Sequence, residues 1–462
     1  MPKKQIHLAA HFPGVNHHTV WTDPTHRPET QSSFASFQHL AATAERGLFD
    51  FVFLAEGLRL REHRGQLVDQ DVVGRPDTYA VLAALAGVTT HVGLAGTINA
   101  TFNDPYELAR QFATLDHLSA GRAAWNVVTS SDAFHGANFR RGGYLAYADR
   151  YERAREVVEA ARALWDAWAP DAVVADATTG DFVRPGSLGT VRTGGRLVDI
   201  EAVPSLPRPP QGHPVIIQAG DSDGGRELAA RVADAVFSRH SELADGQAFY
   251  ADVKGRLARY GRRPDDLKIL PGASFVLGDT AAEAEERLRE IQLQQVRPSV
   301  ARAFVEQVWN QDLSAYDVDG PLPDVDPVTD APSVTQGKAG FFRDPLAVAT
   351  QWRELSEAKG LSIRELVIQV IGRHSFVGTP EHVAAEIDRY VQEDASDGFI
   401  LVPHLTPHGL DEFVDRVVPL LQERGSFRTS YEGTTLRGHL GLPPADAFGR
   451  TLATQDALAA VS

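Results

Sequence analysis

The chain has no cysteine and a single methionine among its 462 residues. The first absence removes disulfides, thiolate zinc sites and cysteine nucleophiles together, so any chemistry falls to oxygen and nitrogen groups or to a bound cofactor. The scarcity of sulfur leaves little for peroxide to oxidise, and drift in composition explains the same scarcity without selection. Basic residues are also in deficit. Forty-five Lys and Arg stand against 61 Asp and Glu, a formal charge of −16, with a pI near 5.5. A nucleic-acid surface needs clustered cations facing phosphate, which disfavours that class. The local cluster Arg59, Arg61, His63 and Arg64 reads as a solvated charge run. No apolar core follows Met1-Pro2-Lys3-Lys4, as a signal peptide would require, and no window approaches a membrane-spanning length. Cytoplasmic residence is the resulting expectation.

What the sequence does contain is alternation. Short β-branched or apolar runs occur at 6–10, 51–54, 92–97, 123–129, 215–218, 235–237, 269–276 and 399–402. Between them, 33–46, 78–88, 105–118, 148–168 and 223–232 carry apolar residues at three-and-four spacing, the pattern of amphipathic helices. Repeated strand-then-helix units imply a parallel sheet. Eight of them, with no G-x-G-x-x-G after the first strand, favour a closed (β/α)8 barrel over an open doubly wound sheet. Asp104-Pro105 supplies an N-cap and a first-turn proline, and Gly47 and Gly121 fit as helix stops.

Two interruptions break the rhythm. Residues 171–212, before the fifth strand, are rich in Gly, Pro and short β-prone runs and read as a hairpin-like excursion. Residues 296–342, after the seventh, read as an irregular stretch carrying Pro321, Pro323, Pro327 and Pro332, either a lid over a site or a mobile surface loop. The expected organisation is one barrel over 1–424 with these insertions. A C-terminal extension over 425–462 would pack on the barrel or on a neighbouring subunit.

Barrel chemistry sits at the C-terminal ends of the strands. Glu56 follows the second strand, Thr97 closes the third and Asn126 lies in the fourth, and all three are expected to face the upper mouth. Taken singly, a buried Thr or Asn more often bonds to backbone. Gly220-Asp221-Ser222-Asp223-Gly224-Gly225 precedes a helix, whose N-terminus concentrates positive potential suited to phosphate; an ordinary N-cap with a glycine turn is the other reading. It is not a Walker A loop. A phosphate here requires Asp221 and Asp223 to point outward. Tyr147 and Tyr151, at i and i+4, share a helix face and offer either hydroxyls for phosphate or aromatic packing. His17 and His18 follow the first strand at the rim, where His17 is a proton-donor candidate or an exposed loop residue. His7 and His11 fall on a strand, where i,i+4 spacing does not make a helical metal pair. His374 and His404 are further rim candidates without a role.

The stretch Ala124-Trp125-Asn126-Val127-Val128-Thr129-Ser130, the helix start Tyr147-Ala148-Asp149-Arg150-Tyr151, the turn Gln218-Ala219-Gly220-Asp221-Ser222 and the tail bearing Arg428, Tyr431, Thr434-Thr435-Leu436-Arg437 and Leu440-Gly441-Leu442 occur in order along nearly the whole chain. Together they resemble the bacterial-luciferase-like flavin monooxygenases, in the branch that oxidises nitrilotriacetate, dibenzothiophene sulfone, dimethyl sulfide and pristinamycin precursors. The resemblance implies a luciferase-type barrel. It also implies a two-component reaction in which an NAD(P)H:flavin reductase supplies reduced FMN, one atom of O2 passes to a small S-, N- or C-centred substrate, and the other leaves as water. It assigns Glu56, Thr97, Tyr147, Tyr151, Gly220 and Ser222 to FMN binding, puts Asn126 near the ring and His17 near the substrate, and implies a homodimer or homotetramer. Two positions depart from the family: Glu56 stands where Asp is usual, and Tyr147 where His is usual. Those departures sustain two alternatives, a deazaflavin-dependent oxidoreductase on the same barrel and a non-catalytic flavin-binding protein. A barrel acting on a phosphorylated sugar would explain Ser222 but not the other motifs. No metal is expected in the site.

Overall fold

In a computed structural model of the protein, residues 3–445 are described except 17, 24–26, 69–74, 131–132, 140–144, 241, 338–343 and 373–374. The apolar runs become eight parallel strands: β1 (His7–Phe12), β2 (Phe51–Leu54), β3 (Gly93–Asn99), β4 (Ala123–Val128), β5 (Val215–Gln218), β6 (Ala235–Ser238), β7 (Lys268–Leu277) and β8 (Gly398–Leu401). They pair in sequence order, β8 returns to β1, and β7 joins β8 to β6, so the sheet closes into a (β/α)8 barrel. The helices that follow β1 to β6 are α1 (Phe34–Arg46), α2 (Thr78–Ala86), α3 (Pro105–Leu118), α4 (Arg150–Trp165), α5 (Asp223–Val232) and α6 (Leu243–Arg256). Local chemistry sets their starts. Asp104 accepts from the Tyr106 and Glu107 amides with Pro105 in the first turn of α3, and Ser222 caps α5 by accepting from the Gly225 amide.

Strand alternation sends one set of side chains inward. Ala9, Phe51, Phe53, Ala95, Ala124, Val215, Ile217, Ala235, Leu270 and Ile400 fill the barrel, and Leu436, Leu440 and Leu442 of the C-terminal segment join them. That segment closes the N-terminal end of the barrel and is fastened there by charge. Arg437 pairs with buried Asp234 at 2.9 Å, and Arg428 pairs with fully buried Asp50 at 2.6 Å. Burial alone would raise the Asp50 pKa, but Arg428 and His7 more than offset it and hold it at about 2. His7 bonds Asp50 through Nδ1, and His11 Nδ1 pairs with the Phe53 carbonyl, so both strand histidines serve the barrel wall.

Residues 171–212 form two antiparallel hairpins, Val173–Asp176 with Asp181–Val183 and Val191–Gly194 with Asp199–Ala202. After β7 come α7 (Ala281–Gln295), α8 (Pro298–Trp309), α9 (Pro345–Lys359), α10 (Ile363–Ile371) and α11 (Pro380–Gln392). The expectation of an irregular stretch beginning at 296 is corrected by α8. Pro298 starts the helix in its first turn, and its apolar face packs with α9 and α10 in a second core that includes Val300, Phe304, Trp309, Trp352 and Leu366. The prolines fall after the helix. There the chain is tied down rather than loose: the Trp309 indole donates to Val325 O at 2.7 Å, and Val334 N donates to Asn310 Oδ1 at 2.7 Å.

The reading of Arg59 to Arg64 as a solvated run is also corrected. His63 is buried, with Nε2 2.6 Å from Glu306 and Nδ1 2.7 Å from Thr335, which ties the segment after β2 to the insertion. Among the described residues no helix is long and apolar enough to cross a membrane.

Candidate active site

The C-terminal ends of β2, β3 and β4 carry two hydrogen-bonded polar pairs. Asn126 in β4 lies opposite Thr97 in β3 in the parallel register, and its Nδ2 donates to Thr97 Oγ1 at 2.9 Å. The amide is only 3% exposed, yet its Oδ1 has no hydrogen-bond partner among the described residues. A buried carbonyl oxygen without a donor is costly, so this atom is available to accept from a bound water or ligand. Two residues beyond Thr97, Asn99 donates from Nδ2 to Glu56 Oε2 at 3.1 Å. Burial, opposed in part by the Asn99 hydrogen bonds, pushes the Glu56 carboxyl up to about 7.

Next to this set, a cleft of about 730 Å³ opens at the ends of β4 and β5, lined by Ser130, His135, Tyr147, Arg150, Gln218 and Arg239 among others. One wall is the N-terminus of α5. The Tyr151 hydroxyl and Ser222 Oγ share a hydrogen bond of 2.7 Å there, and the first-turn amides of a helix lack intrahelical acceptors. The turn is tight for a packing reason. A Cβ on Gly220 would come within 2.3 Å of Gln218 Nε2 and 3.1 Å of the Tyr151 hydroxyl. Gln218, 3% exposed, leaves its Oε1 beside this turn without a hydrogen-bond partner among the described residues.

Arg150 stacks on both tyrosines, its guanidinium carbon 3.5 Å from the Tyr147 ring centre and 4.2 Å from that of Tyr151. Tyr147, 59% exposed, stands at the outer edge of the cleft. Asp221 also lines the cleft, but both acidic residues of the turn are paired with cationic or imidazole groups. Asp221 pairs with Arg226 at 3.1 Å and His240 at 2.7 Å, and Asp223 pairs with Arg256 at 2.7 Å. Burial would raise the Asp221 pKa, but His240 and Arg226 lower it on balance.

Of the residues singled out in the sequence, Thr97 and Asn126 touch, Glu56 bonds Asn99 two residues beyond Thr97, Gly220, Tyr147 and Tyr151 line the cleft, and Ser222 bonds the Tyr151 hydroxyl. His17 and His374 lie outside the described residues. His18 and His404 meet elsewhere, at a small cavity of about 40 Å³ between β7 and α7. Burial and nearby Arg287 lower the His404 pKa to about 4, so its ring is neutral at ordinary pH. Sequence reasoning missed Asn99, Arg150, Gln218 and Arg239. Asn99 was within reach, since period-two alternation puts it on the face of Thr97. The stacking role of Arg150 has no comparable signal.

The model of the luciferase-like monooxygenase family matches residues 17–397. The chain is 39% identical over 447 residues to the N-acetyl-S-(2-succino)cysteine monooxygenase of Bacillus subtilis (strain 168), spanning 95% of this chain and 97% of that protein. It is 38% identical over 453 residues to nitrilotriacetate monooxygenase component A of Aminobacter aminovorans, again over 95% and 97%. The crystal structure of DmoA from Hyphomicrobium sulfonivorans shares the fold with a TM-score of 0.81 and 29% identity, over 95% of this chain and 92% of that one. With a closed barrel, a polar mouth and relatives matched along nearly their full length, the chain belongs to the luciferase-like monooxygenase family of flavin-dependent oxidoreductases.

Proposed function

We propose that the chain is the oxygenase component of a two-component system. It would take reduced FMN from a separate NAD(P)H:flavin reductase and transfer one atom of O2 to a small organic substrate. The observation that carries the FMN assignment is the Tyr151–Ser222 pair at the N-terminus of α5, 2.7 Å apart beside the stacked Arg150. Two hydroxyls, a guanidinium and a helix N-terminus suit a phosphate dianion, and the turn's own carboxylates are bound to Arg226, His240 and Arg256. The unpartnered oxygens of Asn126 and Gln218 offer acceptors to N–H groups of a bound ring. These features fit a flavin mononucleotide, with Tyr151, Ser222 and Gly220 at the phosphate, Tyr147 at its outer edge, and Thr97, Asn126 and Glu56 toward the ring.

Bound reduced flavin supplies the electrons that activate oxygen. The chain's own tasks are to bind, orient, exclude water and manage protons. Thr97 fixes the Asn126 amide, and Asn99 fixes the Glu56 carboxyl. With its pKa near 7, Glu56 holds or releases a proton at Oε within the working range of pH. Phe53 and Phe237, 5.5 Å apart, pack together in the barrel, and Leu436 and Leu440 seal its far end, which keeps water from entering below. His17 remains the candidate nearest the substrate.

The named relatives act on a succinylated cysteine and on nitrilotriacetate, so a carboxylate-bearing thioether or amine is the first substrate class to test. The experiment mixes the protein with a flavin reductase, NADH, FMN and ¹⁸O2, then follows both reduced-flavin reoxidation and labelled product. The expected result is a changed reoxidation rate with the protein present and one labelled oxygen in the product of an accepted substrate. Reoxidation at the same rate with and without the protein would refute the reading.

A further inference from the structure

We propose that His39, His408 and Asp411 form a binding site for a divalent transition cation of the zinc class, on the outside of the barrel and apart from the catalytic cleft. His39 sits in α1, and Asp411 opens α12 (Asp411–Arg416) directly after the short turn His408–Leu410. The two ends of the site are 372 positions apart in sequence.

The geometry matches a coordination face. His39 Nε2 is 2.9 Å from Asp411 Oδ2, His408 Nδ1 is 3.3 Å from the same oxygen, and the two ring nitrogens are 3.1 Å apart. Zinc bonded at about 2.0–2.1 Å to tetrahedral ligands separates them by about 3.3 Å; the His408–Asp411 spacing has that value, and the 3.1 and 2.9 Å spacings need to open by only a few tenths of an ångström to share one ion. Imidazole nitrogen with carboxylate oxygen is a donor set suited to Zn²⁺ and its first-row neighbours. The rings cross at 68° with centres 4.3 Å apart, which lets Nε2 of one and Nδ1 of the other converge.

A single ring N–H can serve both the carboxylate and the lone pair of the other ring, whereas a cation engages all three ligand atoms at once. The supporting contact is already in place. Thr43, one turn on from His39 in α1, donates from Oγ1 to Asp411 Oδ1 at 2.7 Å, which orients the carboxylate; His39 Nε2 lies 3.0 Å from that oxygen and 2.9 Å from Oδ2, and Oδ2 alone also faces His408. His408 has 71% of its side chain exposed, so the fourth vertex opens to solvent and takes a water molecule. A bound ion would clamp the first helix of the barrel to the connection after its last strand and so stabilise the closed ring.

The test is a titration of chelator-treated, full-length protein with Co²⁺, followed by its visible ligand-field bands, and with Zn²⁺ by calorimetry and thermal melting. Expected are one ion per chain, tetrahedral-type Co²⁺ bands and a rise in melting temperature with Zn²⁺. His408→Ala, at an exposed position, should fold normally, lose the bands and weaken affinity by about tenfold or more. Asp411→Asn, which keeps an acceptor for Thr43, should behave likewise. No saturable binding by the wild type, or equal affinity in wild type and His408→Ala, would overturn the site.

Discussion

Asn126 donates its amide N–H to the hydroxyl of Thr97 across neighbouring barrel strands and leaves its own carbonyl oxygen buried, with no partner among the described residues. One half of the side chain is therefore structural and the other is free for a bound group. Asn126→Ala removes both halves. The Thr97 bond is worth about 1 kcal/mol of stability, while loss of the oriented oxygen should lower turnover by about tenfold or more. Chemical denaturation and steady-state oxygen uptake on the same preparation check this. Loss of folding and turnover in equal measure would make Asn126 a purely structural residue.

Glu56 gives a pH signature. Its carboxyl titrates near 4.5 when unfolded and at about 7 in the folded protein, so the folded state prefers the protonated form. Stability should fall as pH rises from about 4.5 to about 7 and stay level above that. Glu56→Gln should flatten this slope and raise stability at pH 8 relative to wild type. If the same carboxyl moves a proton in the reaction, the limb of the kcat/KM profile near 7 should vanish in the variant. Melting temperatures and rates across pH 5 to 9 measure both effects.

Asp50 behaves in the opposite sense. Its pKa is held at about 2, below the ordinary 3.8, so its contribution to stability is complete above about pH 4 and is lost as pH falls through about 2. Among the described residues, Arg428→Ala leaves the buried carboxylate His7 and the Leu8 amide as its hydrogen-bond partners. That change should cost about 3–5 kcal/mol and move acid unfolding to higher pH. Urea denaturation at pH 7 and an acid titration followed by circular dichroism would show it.

Ser222 separates phosphate binding from helix capping. Asp caps a helix about as well as Ser, so Ser222→Asp should leave the melting temperature nearly unchanged. It also puts a negative charge beside the Tyr151 hydroxyl, where the phosphate is proposed to sit. FMN affinity measured by calorimetry should fall by about tenfold or more. An unchanged affinity would remove Ser222 from the site.

The parts of the molecule that were legible from sequence are those set by local rules. All eight strands stand out as buried apolar runs, and α5 begins where Ser222 offers its hydroxyl and glycines allow the turn. Helix α8 was hidden because its apolar face has meaning only against α9 and α10, where Trp309 and Trp352 pack with ring centres 6.3 Å apart. The same holds for His63. Among arginines it looks solvated, and only folding brings Glu306 and Thr335, 243 and 272 positions away, against its ring. Among the candidate site residues, the placing of Glu56, Thr97 and Asn126 at strand ends was readable from sequence, but the stacking of Arg150 on two tyrosines depends on how α4 meets the cleft. The His39, His408 and Asp411 cluster joins the first helix to the last connection of the barrel, a proximity that only ring closure creates.

The measurement that tests the flavin assignment most directly is an anaerobic titration of the purified protein with reduced FMN, run beside one with a reduced deazaflavin coenzyme. Saturable binding of one reduced FMN per chain, weakened by Ser222→Asp and favoured over the deazaflavin, is the expected result. No saturable binding of reduced FMN, or preference for the deazaflavin, would contradict the assignment of this cleft.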